Sequence, residues 1–263
     1  MQDYINDDWS TILQANNLNG FDDWWALEAD WFEEPNIRRG GWSGVSRITL
    51  TDPNGGERVL FLKRQEDHVL RTLMHPLRGI PTFSREMQNI LALQSAGVPA
   101  LTPVYFAQRT VDGKQRAILV TEALEGFVPM DEIDRTGLSR KSRQQLVQTV
   151  ANVVSRLHAH KFVHNCLYPK HLFVRGGDSG FDVHLIDLEK ARPTWCRDRA
   201  MFRDLDTLNR HSTDWTRSDR RQFLKAYLDD ADARQWRRLW QRLTSREREK
   251  RSRVKKSAQG KAA

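Results

Sequence analysis

The chain has 263 residues, of which 39% are hydrophobic and 29% are charged, and its formal net charge is +8. This length suits one large domain or two lobes that share a cleft. No apolar stretch approaches the ~20 residues of a membrane-spanning helix, and the N-terminus lacks the basic and apolar regions of a signal peptide, so we expect a cytoplasmic protein. Two cysteines, Cys166 and Cys196, without a secretory signal predict reduced thiols.

Charge is distributed unevenly along the chain. Residues 1–36 contain nine acidic residues and no Lys or Arg, and their many aromatic side chains predict that this segment packs on the body of the protein. Residues 245–263 contain eight basic and two acidic residues, which predicts a basic disordered tail. The basic body between them favours an anionic partner, such as nucleotide phosphates, an acidic glycolipid, a membrane surface or nucleic acid, although a solvated surface explains any single charged run.

Residues 37–124 are predicted to form a small lobe. Alternating apolar residues predict a strand at residues 45–50, and residues 59–63 read as its returning strand. Two further strands are predicted at residues 104–108 and 117–121, about the Asp112-Gly113 turn, and helical spacing predicts a helix at residues 83–93. The run Pro53-Asn54-Gly55-Gly56 supplies the turn of a hairpin between the first two strands. The lobe is therefore expected to be a small antiparallel sheet with one helix.

Residues 125–244 are predicted to form a mainly helical lobe. A broad apolar stripe from Leu146 to Leu157 indicates a long helix that leads directly to His164. Two later stripes, around Phe223 and around Trp236, indicate further helices. The expected fold class is α+β.

The most informative motif is the stretch His164-Asn165-Cys166-Leu167-Tyr168-Pro169-Lys170-His171, followed by a strand-like run that ends at Asp187. This layout is typical of the kinase catalytic loop H-R-D-L-x-x-x-N and of the later Asp that holds magnesium. In that pattern the third residue accepts the proton of the substrate hydroxyl, and the eighth holds a metal ion. Here Cys166 stands third and His171 eighth, so the motif predicts a phosphoryl-transfer site whose base is altered.

The small lobe supplies the matching candidates for nucleotide binding. Gly40, Gly41 and Gly44 would let backbone N–H groups approach phosphate oxygens, although such a run is also an ordinary turn. Lys63 would hold the phosphates, and Glu86 would fix Lys63 by an ion pair. Glu122 and Ala123 stand where a kinase hinge offers backbone hydrogen bonds to adenine. An ordinary strand end would have the same sequence, so the sequence does not distinguish the two. We expect Lys63, Glu86 and Asp187 to meet in one cleft.

Other chemistry has weaker support. His158, His160, His164, His171 and Cys166 lack the tight paired spacing of a zinc site. A histidine-assisted cysteine nucleophile would use the same atoms but would leave the glycines, Lys63, Glu86 and Asp187 without a purpose. Asp204 and Asp206 are interpreted as helix caps or as braces of the catalytic loop.

The sequence resembles the lipopolysaccharide core kinases of Gram-negative bacteria, the Kdo and heptose (WaaP-like) kinases, and in particular the InaA-like branch. The resemblance covers roughly residues 38–210. Its pieces are Arg39-Gly40-Gly41, Ser43-Gly44-Val45, Leu62-Lys63-Arg64-Gln65, Ser84-Arg85-Glu86, His164, Cys166 to His171, and Ile186-Asp187-Leu188-Glu189-Lys190.

The resemblance implies a protein-kinase-like two-lobed fold, with ATP and Mg²⁺ as cofactors and with the lipopolysaccharide core oligosaccharide on lipid A as acceptor. It also implies that His171 replaces the usual metal-binding Asn. The heptose kinases have an Asp where this chain has Cys166, so base catalysis is the implied function that the departure affects. The candidate catalytic residues are Cys166, Asp187, His164 and Lys170. Thiol chemistry adds an alternative, in which a neighbouring cation such as Lys170 lowers the pKa of the thiol and Cys166 serves as a substitute base.

Three functional hypotheses follow from these patterns. The first is an ATP-dependent kinase of a heptose or Kdo sugar, which Lys63, Glu86 and Asp187 favour. The alternative is a pseudokinase that serves as a nucleotide- or glycan-binding scaffold in envelope biogenesis, which Cys166 favours. A nucleic-acid-binding protein ranks third, because no signature of one is present. The basic tail, with Trp236 and Trp240 as interfacial anchors, would attract the kinase to the anionic inner face of the inner membrane. In the alternative interpretation, both tryptophans lie in the core of the helical lobe and the tail only aids solubility.

Overall fold

The computed structural model describes residues 3–38, 40–71, 75–178, 180–195, 197–228 and 233–259. Arg39 and Cys196 lie outside these ranges. The chain divides into two units, Met1–Ser95 with Ala100–Glu125 and Ala96–Pro99 with Gly126–Ala263.

The first unit contains an antiparallel sheet and three helices. Its strands are β1 (Tyr4–Ile5), β2 (Trp31–Arg38), β3 (Gly41–Thr51), β4 (Glu57–Glu66), β5 (Val69–Leu70), β6 (Ile80–Pro81), β7 (Pro103–Val111) and β8 (Lys114–Glu122). Its helices are α1 (Ser10–Ala15), α2 (Phe21–Ala26) and α3 (Thr82–Ser95). Among the described residues, six strands form one sheet in the order β1-β7-β8-β4-β3-β2. The four strands and the helix predicted from the sequence are confirmed as parts of β3, β4, β7, β8 and α3.

The N-terminal aromatic residues belong to the core of the first unit. Trp9 and Trp24 are fully buried and pack in one cluster with Leu60 and Leu62 of β4. The Trp24 ring also stacks on Tyr105, with ring centroids 5.5 Å apart. Because side chains alternate between the two faces of a strand, Lys63 lies on the face of β4 opposite to this cluster.

Strand β2 begins inside the segment that the sequence assigned to the N-terminal region, so the boundary predicted at residue 36 is wrong. The strand contains two acids and Pro35, which disfavour strands in general. It is nevertheless possible here because β2 is the edge of the sheet, where Pro needs no ladder partner. Register shifts interrupt its pairing with β3 on either side of Glu33, as expected at a sheet edge.

The second unit is mainly helical. Its strands are β9 (Val128–Pro129), β10 (Phe162–Val163), β11 (Leu172–Gly177), β12 (Gly180–Leu185) and β13 (Arg192–Pro193). Its helices are α4 (Arg140–Ala159), α5 (Arg197–His211), α6 (Arg217–Tyr227) and α7 (Ala233–Gln259). The apolar stripe of α4, from Leu146 to Leu157, is buried. The antiparallel hairpin β11–β12 pairs Leu172 with Leu185 and so places the catalytic-loop motif beside the chain that leads to Asp187. The predicted α+β fold class is confirmed.

Helix α7 continues to Gln259, so the prediction of a disordered tail is wrong for residues 245–259. Basic composition favoured disorder, but this stretch contains no Gly or Pro and is rich in the good helix formers Arg, Lys and Glu. Arg246 and Glu249 also approach to 3.6 Å at helical i,i+3 spacing. None of the helices that the structure describes has the length and apolar character to cross a bilayer.

Candidate active site

An ion pair joins β4 to α3 in the first unit. Lys63 places its Nζ atom 2.7 Å from Oε1 of Glu86. Glu86 is only 3% exposed, and the loss of either partner of such a buried pair would leave an uncompensated charge. The ion pair predicted from the sequence is confirmed. Arg64, on the opposite face of β4, donates to the carbonyls of Trp25 and Leu27 and so does not compete for Glu86.

Glycine is required at positions 40, 41 and 44 for different structural reasons. Gly40 has a φ of +85°, a left-handed conformation that favours glycine in the turn before β3. A Cβ on Gly41 would lie 2.0 Å from the carbonyl oxygen of Glu66, and a Cβ on Gly44 would lie 2.6 Å from the Trp31 ring. Packing therefore requires glycine at positions 41 and 44. The proposed approach of their N–H groups to phosphate oxygens stays a prediction.

The strand end at the candidate hinge offers fewer donors than the sequence indicated. The N–H of Glu122 donates to the Thr102 carbonyl at 2.9 Å, and the N–H of Ala123 donates to the Val59 carbonyl at 3.0 Å. These two residues can therefore meet a base through their carbonyl groups only. Among the described residues no hydrogen bond engages the N–H of Leu124, so at this strand end Leu124 has an N–H group available to donate.

A buried carboxylate braces the catalytic loop in the second unit. Asp204, on α5, is 1% exposed and accepts hydrogen bonds from the backbone N–H groups of His164 at 2.6 Å and Asn165 at 2.9 Å. Asn165 adopts a left-handed conformation with φ of +61°, which these bonds help to maintain. The interpretation of Asp204 as a brace is confirmed. Asp206 instead pairs with Arg210 along α5 at 3.2 Å.

His164 connects the loop to the segment before Asp187. Its Nε2 atom lies 2.9 Å from the Ile186 carbonyl, which can only accept, so Nε2 carries the proton. Burial lowers the pKa of His164 and keeps the ring neutral. His164 therefore has a positioning role. Asp187, the residue after Ile186, adopts a left-handed conformation with φ of 55°.

His171 and Asp187 form a polar pair. His171 Nδ1 lies 2.8 Å from the carbonyl oxygen of Cys166, and Nε2 lies 3.3 Å from Oδ2 of Asp187. Burial lowers the pKa of His171 to about 4, so the ring is neutral at pH 7. Since the carbonyl can only accept, Nδ1 carries the proton and Nε2 points a lone pair toward the carboxylate. Two facing acceptors of this kind fit a shared cation, and a backbone acceptor on the other nitrogen is typical of metal-ligating histidines.

The thiol of Cys166 is half-buried and bears no charge at neutral pH. Burial raises the pKa of this thiol, and the opposing effect of the Lys190 ammonium does not cancel it. The cation beside the thiol is thus Lys190, whereas the sequence analysis expected Lys170. Lys170 is exposed on the turn Pro169–His171. Lys190 comes near the thiol because of how the chain folds after Asp187, and the order of residues in the sequence does not indicate that fold.

The candidate residues thus fall into two groups. Lys63, Glu86 and the strand end at Leu124 belong to the first unit, and the catalytic loop and Asp187 belong to the second. The expected meeting of Lys63 with Asp187 stays a prediction. Within the described ranges no group of three or more His, Cys, Asp or Glu side chains could hold a metal by itself, so a metal would need ligands from a substrate or water.

Comparison with known proteins identifies relatives over most of the chain. The model of the lipopolysaccharide kinase (Kdo/WaaP) family matches residues 22–227. Protein InaA of Escherichia coli (strain K12) is 35% identical over 211 residues, which span 79% of this chain and 94% of that protein. A solved structure of WaaP in complex with acyl carrier protein has a TM-score of 0.64 and 21% identity, over 94% of this chain and 99% of that chain. This likeness confirms the protein-kinase-like fold.

Asp204 is predicted to be essential for stability. Asp204→Ala leaves two buried N–H groups without an acceptor and should lower the free energy of unfolding by about 3 kcal/mol, measured by urea denaturation. Asp182→Ala is the control, because it removes a solvent-exposed carboxylate from an ion pair with Arg175 and should cost about 0–1 kcal/mol. Equal losses in the two variants would contradict the role of Asp204.

His171 is predicted to make stability depend on pH. Its pKa falls from 6.5 in the unfolded chain to about 4 in the fold, so between these values the unfolded state binds the extra proton. Stability should therefore decrease as the pH falls from 7 toward 4, and His171→Asn should lose less stability than wild type over this range. Thermal unfolding at pH 7.5 and 5.0 measures the difference, with His160→Asn, an exposed position, as control. Parallel pH dependence in His171→Asn and wild type would refute the prediction.

Proposed function

Because the chain belongs to the lipopolysaccharide kinase (Kdo/WaaP) family, we propose that it transfers the γ-phosphate of ATP to a hydroxyl of a heptose or Kdo sugar in the lipopolysaccharide inner core. The observation that carries the proposal is the buried ion pair of Lys63 and Glu86 in a protein-kinase-like fold. A buried pair of this type is expensive to maintain for stability alone. It has a clear use in a kinase, where the lysine holds the nucleotide phosphates.

The first unit would bind the nucleotide. Glu86 holds the Lys63 ammonium in one position, so that little side-chain freedom is lost when a phosphate binds. The Leu124 N–H and the Glu122 carbonyl would bind the edge of the adenine ring. Gly40 would allow the turn before β3 to approach the phosphates.

The second unit would hold a divalent metal through Asp187 and His171. The inward lone pair of His171 Nε2 and the carboxylate of Asp187 fit such an ion, with phosphate oxygens and water as the remaining ligands. When bound, Mg²⁺ would neutralise charge on the β- and γ-phosphates. Asp204 and His164 fix the backbone on both sides of this pair, which keeps the two ligands at a constant separation.

Cys166 would stand beside the acceptor hydroxyl without accepting its proton. Phosphoryl transfer passes through a loose transition state in which positioning and charge stabilisation dominate, so the reaction does not require a strong base. A general base is typically worth 10²–10⁴-fold, and we expect turnover slower than that of a kinase with Asp at this position by a factor of that order. The proton of the acceptor passes to water.

A second candidate function is that of a pseudokinase scaffold that binds nucleotide or glycan without turnover. The protonated thiol of Cys166 is the observation that favours it. The His171–Asp187 pair and the Lys63–Glu86 ion pair suit nucleotide binding, so they weigh against a scaffold that binds glycan alone.

Two assays test the proposed function. Calorimetry with ATP and Mg²⁺ measures nucleotide binding, and release of ADP in the presence of purified core oligosaccharide measures turnover. The kinase requires both signals, and Lys63→Met should abolish them. Binding without oligosaccharide-dependent ADP release would support the scaffold, and the absence of ATP binding would overturn both the kinase and a scaffold that binds nucleotide.

Variants at Cys166 separate catalysis from binding. Cys166→Asp should raise turnover by up to about 10²–10⁴-fold, because it supplies a proton acceptor. Cys166→Ala should leave the affinity for ATP nearly unchanged, as calorimetry would show. Loss of ATP binding in Cys166→Ala would mean that the thiol is structural.

Helix α7 would attract the protein to an anionic membrane surface. Trp236 and Trp240 stack on each other and lie beneath Arg221 and Arg217, so packing within the second unit occupies them. The attraction is therefore left to basic residues, namely exposed Arg246 and the Lys and Arg residues C-terminal to it, each worth ~1 kcal/mol near anionic lipid. The side chains of residues 250–263 lie outside the described part of the structure.

Sedimentation with vesicles tests this attraction. Binding to vesicles of anionic lipid should weaken with added salt and with deletion of residues 246–263, whereas vesicles of neutral lipid should bind neither form. Equal binding of the full and truncated chains would exclude the helix end as the contact.

A further inference from the structure

The first turn of α3 is capped by a glutamine from strand β4. Gln65 is fully buried, and its Oε1 atom accepts hydrogen bonds from the backbone N–H of Phe83 at 2.9 Å and from the Thr82 hydroxyl at 2.9 Å. The first N–H groups of a helix have no partner within the helix and need an acceptor. The usual acceptor is a Ser, Thr, Asp or Asn side chain just before the helix, but here that position holds Pro81. A side chain from the sheet therefore supplies the cap.

Further hydrogen bonds close a ring around this cap. Gln65 Nε2 donates to the His68 carbonyl at 2.6 Å, and the N–H of Thr82 donates to the same carbonyl at 3.2 Å. The His68 Nδ1 atom also lies 3.1 Å from the Thr82 hydroxyl oxygen. Because Gln65, His68 and Thr82 are buried, a lost partner would leave a polar group unsatisfied. The network therefore holds the start of α3 in one place.

The cap and the Lys63–Glu86 ion pair join the same two elements. Lys63 stands two residues before Gln65, so both side chains lie on the same face of β4, about 7 Å apart along the strand. Glu86 stands three residues after Phe83, which is nearly one turn, about 4.5 Å, further along α3. The position of the start of α3 along β4 therefore determines whether Oε1 of Glu86 can reach the Lys63 ammonium at 2.7 Å.

The ion pair alone would not fix the helix. It joins two long side chains, whose rotatable bonds leave the backbone of α3 free to shift. The cap instead holds a backbone N–H group of the helix. A cap that served stability alone could come from any strand beside α3, as the hydrogen bond from Ser84 to Gln108 of β7 at 2.6 Å illustrates. Gln65 differs from that contact because it stands on the strand that carries Lys63.

We propose that Gln65 is a positioning residue, which holds α3 against β4 so that Glu86 fixes the Lys63 ammonium where the nucleotide phosphates bind. The inference rests on the proposed function, since the phosphates are those of ATP. Gln65 acts through Phe83 and Glu86, not by contact with the nucleotide. The motif Leu62-Lys63-Arg64-Gln65 thus contains both the lysine and the residue that positions its partner.

Substitution of Gln65 tests this role. Gln65→Met keeps the length of the side chain and removes its amide, so the Phe83 N–H loses its acceptor and α3 can shift. ATP should bind about 10-fold more weakly, the value of one hydrogen bond to a charged group, as calorimetry would show. Turnover with purified core oligosaccharide should fall by up to about 10²-fold, because small displacements of a reacting group have large effects on rate.

Two variants of α3 serve as controls. Gln94→Met makes the same substitution on the same helix and removes only the hydrogen bond from Gln94 Nε2 to the Leu101 carbonyl at 3.2 Å. Ile90→Val removes one methyl group from a fully buried side chain, so it lowers stability and leaves the cap intact. Both variants should bind ATP with the affinity of wild type.

Thr82→Val gives a milder test that does not depend on the folding of Gln65→Met. It removes the Thr82 hydroxyl from the network and keeps the bond from the Phe83 N–H to Gln65. The affinity for ATP should fall by about 2–5-fold, the value of one neutral hydrogen bond.

A double variant separates positioning from stability. In the Glu86→Gln background Lys63 has lost its charged partner, so the position of α3 matters less for the ammonium. Gln65→Met should then weaken ATP binding by a smaller factor than it does in wild type. Equal factors in the two backgrounds would show that Gln65 acts independently of the ion pair, and would overturn the inference.

The outcomes also separate this inference from the proposed function. If wild type binds ATP and turns over, while Gln65→Met and Thr82→Val lower only the melting temperature, Gln65 is a structural cap and the kinase function stands. If Gln65→Met does not fold, wild-type ATP affinity in Thr82→Val would overturn the inference by itself. Absence of ATP binding to the wild-type protein would overturn both the inference and the proposed function.

Discussion

The geometry of the second unit depends on the hydrogen bonds that Asp204 accepts from the catalytic loop. A fully buried carboxylate must be satisfied by donors, and here two successive backbone N–H groups, of His164 and Asn165, meet that need. The loop is held in a left-handed turn at Asn165 as a result. His164 and Asn165 then bind the Ile186 and Lys190 carbonyls on either side of Asp187. One buried charge on α5 thus sets the positions of Cys166, His171, Asp187 and Lys190.

This constraint explains how the site can differ from the usual kinase at one position. The brace acts on the backbone of the loop, so a change of side chain at Cys166 leaves the His171–Asp187 pair and the turn Leu188–Lys190 in place. The change removes a proton acceptor from the loop. For a reaction in which charge stabilisation outweighs base catalysis, such an exchange is compatible with turnover.

The sequence predicted what short-range patterns determine and missed what distant contacts determine. Apolar patterns and turn residues located the four main strands of the sheet and α3, and motif order paired Lys63 with Glu86. Strand β2 was not predicted because its two acids and Pro35 disfavour a strand except at a sheet edge. The sequence of a single segment does not show whether that segment lies at an edge. Gly41 and Gly44 are required because the Glu66 carbonyl and the Trp31 ring lie where their Cβ atoms would be. The N–H of Leu124 is available because the Thr102 and Val59 carbonyls already accept hydrogen bonds from Glu122 and Ala123. The effect of Lys190 on the Cys166 thiol was not predicted, because the two residues are 24 positions apart in the sequence.

The central claim is that this chain is a working phosphotransferase despite the thiol at position 166. Phosphorus NMR of a mixture of the protein, ATP, Mg²⁺ and purified core oligosaccharide tests it most directly, because it identifies the product. A working kinase should give a new phosphomonoester signal on the oligosaccharide, equal in amount to the ADP formed and absent with Lys63→Met. ATP bound by the protein but recovered unchanged, with no phosphomonoester after prolonged incubation, would contradict it.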